Sequence, residues 1–340
     1  MESPLRAILA GCGRMSPGWI EASKTIPGLE LVGFVDLQEA AAQQRAAEYG
    51  SGVVGSDLAG VLEQTKPDIV FDCTVPEAHH DVVLTALTHD CHVLGEKPLA
   101  NSMENARAMV RAAEVAGKWY AVMQNRRYDP NIRRLKNLLD AGTLGGLTTV
   151  HCDFFIGAHF GGFRDHMAHV LLLDMAIHTF DAARFLTGAD PVSVYCKEWN
   201  PAGSWYDRDS SAIAIFEMSN GVVYTYRGSW CSEGLPTTWE SEWRLIRQHG
   251  TVTWLGDERM QAQVVTETGS FFSTFKDVDI PAEPGTDKID GHTGIMRNFV
   301  ECVRNGSAPD TVCSNNIKSL AMVFGAIESA ETGKLINIAW

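Results

Sequence analysis

Leu5-Arg6-Ala7-Ile8-Leu9-Ala10-Gly11-Cys12-Gly13-Arg14-Met15-Ser16 is a short apolar run that ends in two glycines one residue apart. That order is the pattern of a buried strand entering a tight turn that opens a helix. Leu29 to Val35 reads as a second strand, followed by an alanine-rich helix from Gln38 to Tyr49 that Gly50 stops. Ile69 to Val75 is a third apolar run, with Pro76 opening a helix through Leu87. Val93-Leu94, a helix from Met103 to Ala116, and Trp119 to Met123 complete the series. Apolar strands alternating with amphipathic helices imply crossover units. The expectation for residues 1–125 is therefore an α/β doubly wound parallel sheet.

A dinucleotide-binding turn asks for Gly-x-Gly-x-x-Gly or Ala: the glycines allow a tight turn and a close approach of backbone to pyrophosphate. Gly11 and Gly13 match, and Ser16 stands at the third small position. Asp36 follows the second strand, where a carboxylate can accept hydrogen bonds from ribose hydroxyls and repels a 2′-phosphate. No arginine adjoins it, so NAD is expected rather than NADP, with the turn forming the N-terminal Rossmann domain.

Near Asn125 the pattern changes. Ile132 to Ala141 reads as a helix with a basic face, and Thr148 to Ile156 as a strand. Residues 157–166 are glycine-rich and carry His159 and His166, and a helix follows from Val170 to Leu186. The strands Val192–Trp199, Ser211–Met218, Val222–Trp230, Glu242–Arg247 and Val252–Leu255 come next, with Asn220-Gly221 as a hairpin signal. Helices at 291–304 and 315–332 end the chain. The expectation for residues 126–340 is an α+β substrate-binding and oligomerisation domain with a mostly antiparallel open sheet.

Two groups of residues carry candidate chemistry. Lys97 lies between Glu96 and Pro98, beyond the C-terminal end of a parallel strand, the edge where doubly wound sheets bind ligands. An ammonium there can stabilise an alkoxide as hydride leaves, or it is one half of a surface pair before a proline turn. Within the apolar helix Val170 to Leu186, Asp174, His178 and Asp181 fall at i, i+4 and i+7. Such a stripe is either an internal hydrogen-bond cluster or the wall of a polar cleft, where His178 can act as a base oriented by a carboxylate. His166 and His169 lack a third ligand nearby, so no metal is expected. Arg126 and Arg127 touch substrate or only the domain seam. Most of the tryptophans are expected to pack in the core.

The formal net charge of -14 disfavours nucleic acid and anionic membrane surfaces. No apolar run is long enough to span a bilayer, and the start lacks a secretion signal, so a cytoplasmic enzyme is expected. The eight cysteines form no CxxC pair and read as reduced, buried thiols.

Taken together, Gly11-Cys12-Gly13-Arg14-Met15, Thr74-Val75-Pro76 with His79, Glu96-Lys97-Pro98, Gly142 to Gly146, Asp174-Met175-Ala176-Ile177-His178 and Asp181 resemble the glucose-fructose oxidoreductase / inositol dehydrogenase (Gfo/Idh/MocA) family over nearly the whole chain. The resemblance implies cofactor contacts from Gly11, Gly13, Arg14, Met15, Asp36, Thr74, Val75, Pro76, His79, Glu96 and Lys97. It implies that Lys97, Asp174 and His178 serve substrate binding and catalysis, with His178 as the acid–base group. It further implies an NAD-dependent dehydrogenase acting on a sugar, cyclitol or related polyol, and a homodimer or homotetramer formed through the open face of the C-terminal sheet. Two other functions fit the same residues: an NAD-dependent glycosidase or lyase that oxidises a sugar carbon transiently, and a non-catalytic NAD-binding protein.

Overall fold

The computed structural model describes residues 3–280 and 291–340. They divide into two compact units, one holding 3–128, 291–320 and Trp340, the other holding 129–280 and 321–339.

The first unit alternates β1 (Leu5–Ala10), α1 (Ser16–Lys24), β2 (Leu29–Val35), α2 (Glu39–Tyr49), β3 (Val53–Gly55), α3 (Leu58–Thr65), β4 (Ile69–Asp72), α4 (Pro76–Thr88), β5 (His92–Gly95), α5 (Met103–Ala116) and β6 (Tyr120–Val122). The strands form one parallel sheet in the order β3-β2-β1-β4-β5-β6. Strand order reverses between β1 and β4, which opens a crevice at the C-terminal edge of the sheet. The strands are apolar at most positions because helices cover both faces, and Ile8, Leu9, Phe34, Val70 and Phe71 have no exposed surface. Side-chain caps start the helices where the sequence supplies them. Asp57 accepts from Gly60 N at the start of α3, and Ser102 from Asn105 N at the start of α5. The sequence reading passes over β3 and α3, since three residues at a sheet edge show no periodicity. It also runs the strand from Ile69 on to Val75, whereas β4 stops at Asp72.

The second unit opens with α6 (Pro130–Asp140), β7 (Leu147–Phe155) and the short α7 (Phe163–His166). A π-helical turn, Leu171–Ala176, leads into α8 (Ile177–Thr187). The strands β8 (Pro191–Trp199), β9 (Ser211–Met218), β10 (Val223–Ser229), β11 (Glu242–Arg247), β12 (Gly250–Trp254), β13 (Met260–Glu267) and β14 (Thr274–Asp277) follow. After α9 (Gly291–Asn305) and α10 (Cys313–Thr332), the terminal strand β15 (Ile336–Asn337) joins the same sheet. Its order is β14-β13-β12-β11-β7-β10-β9-β8-β15, antiparallel except where β7 and β10 run parallel. Phe180 on α8 meets Phe216 and Tyr226 edge-on, at 4.9 and 5.3 Å between ring centroids, and anchors the helix to one face. Among the described residues no helix is long and apolar enough to cross a membrane.

Two expectations need correction. Residues 126–340 do not all belong to the second unit: α9 buries Ile295, Met296, Phe299 and Val300 in the core of the first sheet, beside Leu9, Trp19 and Phe71. The helix expected from Val170 to Leu186 is also not uniform. The π turn carries an extra residue, so the even 100° step that would align Asp174, His178 and Asp181 fails. Asp181 is fully buried, while Asp174 and His178 are partly exposed.

Candidate functional site: a glycine turn and a braced aspartate

In the first unit, the residues that follow β1, β2, β4 and β5 gather along one edge, because the strands are parallel. The turn after β1 depends on Gly11, which has φ +89; a Cβ there would lie 2.5 Å from the carbonyl carbon of Cys73. Gly13 is the opposite case, with nothing within 4 Å of a Cβ, so space lies open beside the turn. Asp36 holds the turn from the side. One carboxylate oxygen accepts from Cys12 N at 2.8 Å and the other from Gln38 N at 2.8 Å. Burial and then the Asp36 charge push the Cys12 thiol up to about 12, so it stays neutral. Arg14, Met15 and Val75 are exposed.

The turn after β4 is built around Asp72. Its Oδ1 accepts from Thr74 N at 3.1 Å and Thr74 Oγ1 at 2.5 Å, and its Oδ2 meets His79 Nδ1 at 2.8 Å. His79 is fully buried and braces the Thr74-Val75-Pro76 segment from within. Burial lowers the His79 pKa, but the charge and hydrogen bond of Asp72, with Glu96 and Glu77, outweigh it and leave the pKa raised. After β5, Glu96 is buried, and its oxygens accept from Trp19 Nε1 at 2.8 Å and from Lys97 N at 3.3 Å. The Lys97–Pro98 peptide bond is cis. Lys97 is half-buried on the same sheet edge. These features fit NAD: a turn whose Gly13 leaves open space beside it, backbone amides beyond it, and a carboxylate after β2. Asp72 and Trp19 were missing from the sequence reading. Trp19 is separated from Glu96 by 77 residues, and no local pattern announces that bond.

Asp174 and His178 lie in the second unit. Arg164, from the glycine-rich segment after β7, grips Asp174 with two bonds, Nε to Oδ2 at 2.8 Å and Nη2 to Oδ1 at 3.2 Å. A forked pair of this kind fixes the carboxylate in direction as well as place. The guanidinium itself sits over Phe160 and Phe163, 5.0 and 4.8 Å from the ring centroids. His159 stacks on Trp205 at 3.7 Å, and its Nε2 meets Glu233 at 3.0 Å. His166 pairs with Asp207, and His169 with Glu198. Each of these two imidazoles is thus engaged by a carboxylate of its own. Among the described residues no group of three or more potential ligands could hold a metal ion. Arg127, from the segment after β6, donates to Asp310 O, within the first unit. Trp230, Trp243 and Trp254 are core residues. Arg164 was also missed, since one turn of helix after a glycine-rich stretch has no periodicity that marks one arginine.

Comparison with known proteins agrees with this geometry. A family described as an oxidoreductase family with an NAD-binding Rossmann fold matches residues 5–124, and a Gfo/Idh/MocA C-terminal domain matches residues 132–253. The scyllo-inositol 2-dehydrogenase (NAD(+)) of Bacillus subtilis is 27% identical, over 99% of this chain and 97% of its own. The D-glucoside 3-dehydrogenase of Escherichia coli is 31% identical, over 65% and 69%. An oxidoreductase from Agrobacterium radiobacter, crystallised with NAD+, L-tartaric acid and magnesium, superposes with a TM-score of 0.87 at 22% identity, over 98% of each chain. The glycine turn held by Asp36, the sheet reversal beside it and matches to both domains lead to one conclusion: the chain belongs to the Gfo/Idh/MocA family of NAD-binding oxidoreductases.

Proposed function

We propose that the protein reversibly oxidises a secondary alcohol of a sugar, cyclitol or related polyol, using NAD. The observation that carries this reading is the Arg164–Asp174 fork, which holds a carboxylate one turn before His178 on the helix. Inositol and glucoside dehydrogenases among the relatives support the substrate class. Bound NAD supplies the hydride acceptor. Gly11, Gly13 and Asp36 hold the dinucleotide, with Arg14, Met15, Thr74, Val75 and Pro76 along the same edge. Lys97 donates to the reacting hydroxyl and stabilises the oxyanion as negative charge develops. His178 takes the proton, and Asp174 binds the substrate by accepting from a different hydroxyl of the polyol. His79 and Glu96 shape this edge from inside. The protein is expected to act as a homo-oligomer. Tyr195, Ile213, Ile215 and Val223 are exposed at 40–47% on one face of adjacent strands, an apolar patch that a second copy of the chain would cover.

The test is a panel of sugars and cyclitols with NAD and NADP, following both reduced cofactor and products. Lys97→Met and His178→Asn should each lower kcat about 10²–10⁴-fold while NAD affinity is retained. Product release without net NADH would point to transient oxidation, and normal turnover by both variants would remove these two residues from the mechanism.

A further inference from the structure

Ser16 stands where a third glycine or alanine would normally allow helix and strand to pack closely. The side chain is fully buried and has two partners. Its Oγ donates to the Gly13 carbonyl at 2.7 Å and accepts from Arg45 Nε, on α2, at 2.8 Å. The Gly13 carbonyl also accepts from Ser16 N at 3.3 Å and Arg45 Nη2 at 3.5 Å. Arg45 is in turn anchored by Glu48, with Nη1 2.6 Å from one carboxylate oxygen and 2.9 Å from the other. Its side chain is only 15% exposed.

We infer that Arg45 is a positioning residue for the pyrophosphate, acting through Ser16 on the peptide between Gly13 and Arg14. A trans peptide is planar, and its carbonyl and N–H point in opposite directions. Pinning the Gly13 carbonyl toward Ser16 and Arg45 therefore turns the Arg14 N–H the other way, away from α2. Gly13 has no atom within 4 Å of where a Cβ would stand, so there is room for a phosphate to approach that turn. The strut orders the amide before the cofactor arrives, and hydrogen bonds in series strengthen one another. The guanidinium adds positive charge behind the turn, which Glu48 partly offsets. This inference rests on NAD binding and not on the roles of Lys97 or His178.

Binding to the cofactor-free protein, measured by calorimetry, tests the strut. Arg45→Met and Ser16→Ala should each weaken NAD and ADP-ribose about tenfold and leave adenosine unchanged. In turnover the loss should fall on KM for NAD and not on kcat. The double variant should bind no worse than about either single one, because both substitutions break one chain of bonds. Ser16→Ala removes a single oxygen and carries the test if Arg45→Met does not fold. Unchanged ADP-ribose affinity in Ser16→Ala, an equal loss for adenosine, or fully additive effects would each overturn the inference.

Discussion

Trp19 Nε1 donates to Glu96 Oε1 at 2.8 Å, and the other oxygen of that carboxylate accepts from the Lys97 amide at 3.3 Å. The helix that follows the glycine turn is thereby tied, through one buried carboxylate, to the backbone of the candidate catalytic lysine. Trp19 is 1% exposed and its ring packs on Phe71 at 5.5 Å, so neither partner has much freedom to move.

Trp19→Phe keeps an aromatic ring beside Phe71 and deletes the donor, at the cost of some buried volume. A buried carboxylate that loses a partner costs about 1–3 kcal/mol, so the melting temperature should fall while the fold persists. If Glu96 sets the direction of Lys97, kcat should also fall, about fivefold, with NAD affinity within twofold of wild type. Thermal melts beside steady-state kinetics separate the two effects. A stability loss with kcat untouched would leave the bond a structural role only.

Gly11 and Gly13 are separated by one residue and should respond in opposite ways to alanine. At Gly11 a methyl would meet backbone atoms of Cys73 and Thr74 at 2.5–2.7 Å, on a backbone with φ +89. Backbone cannot swing aside as a flexible side chain does, so Gly11→Ala should lose more than about 3 kcal/mol of stability. Gly13→Ala meets nothing within 4 Å and should melt close to wild type. Its methyl nevertheless fills space beside the turn, so NAD affinity should drop about tenfold or more. Chemical denaturation and NAD titration of both variants check the pair. Equal stability losses would contradict it.

Arg164 is tested by a substitution that keeps its charge. Arg164→Lys retains a cation but cannot make two parallel bonds to Asp174. The expected result is at least a tenfold fall in kcat/KM for the polyol, with NAD binding unaffected. Full activity in Arg164→Lys would show that charge alone suffices and that the direction of the Asp174 carboxylate is unimportant.

What the sequence revealed follows from how far each signal extends along the chain. Leu5–Ala10, Leu29–Val35 and Ile69–Asp72 are legible because strands covered on both faces are apolar at nearly every position. Asp36 was legible because it lies at a fixed place after β2. The π turn was not, since a uniform step per residue is built into any helical reading. The return of α9 to the first unit was hidden as well: an amphipathic face shows that a helix packs, not which sheet it packs on. Trp19–Glu96, Arg164–Asp174 and Arg45–Ser16 are contacts between elements, set by topology and invisible to spacing along the chain.

The Asp72–His79 pair makes a prediction about pH. Both side chains have no exposed surface, and His79 Nδ1 lies 2.8 Å from Asp72 Oδ2. Burial by itself would lower the imidazole pKa, but the neighbouring carboxylates reverse the sign, so the folded value lies above the ordinary 6.5. Between the unfolded and folded values the native state holds a proton that the unfolded chain has released. Stability must then decline as pH rises, by at most about 1.4 kcal/mol per pH unit for one site. The contribution is complete below pH 6.5 and disappears as pH climbs through the folded pKa. Denaturant melts of wild type and His79→Gln from pH 5.5 to 9 isolate it, because the variant cannot titrate at this position. The wild-type advantage should be largest at the acid end and shrink steadily toward the alkaline end. A gap that instead widens as pH rises through 6.5 would mean that His79 is neutral in the folded protein throughout. The Thr74-Val75-Pro76 segment would then be held by neutral hydrogen bonds, without the charge that the surrounding carboxylates favour.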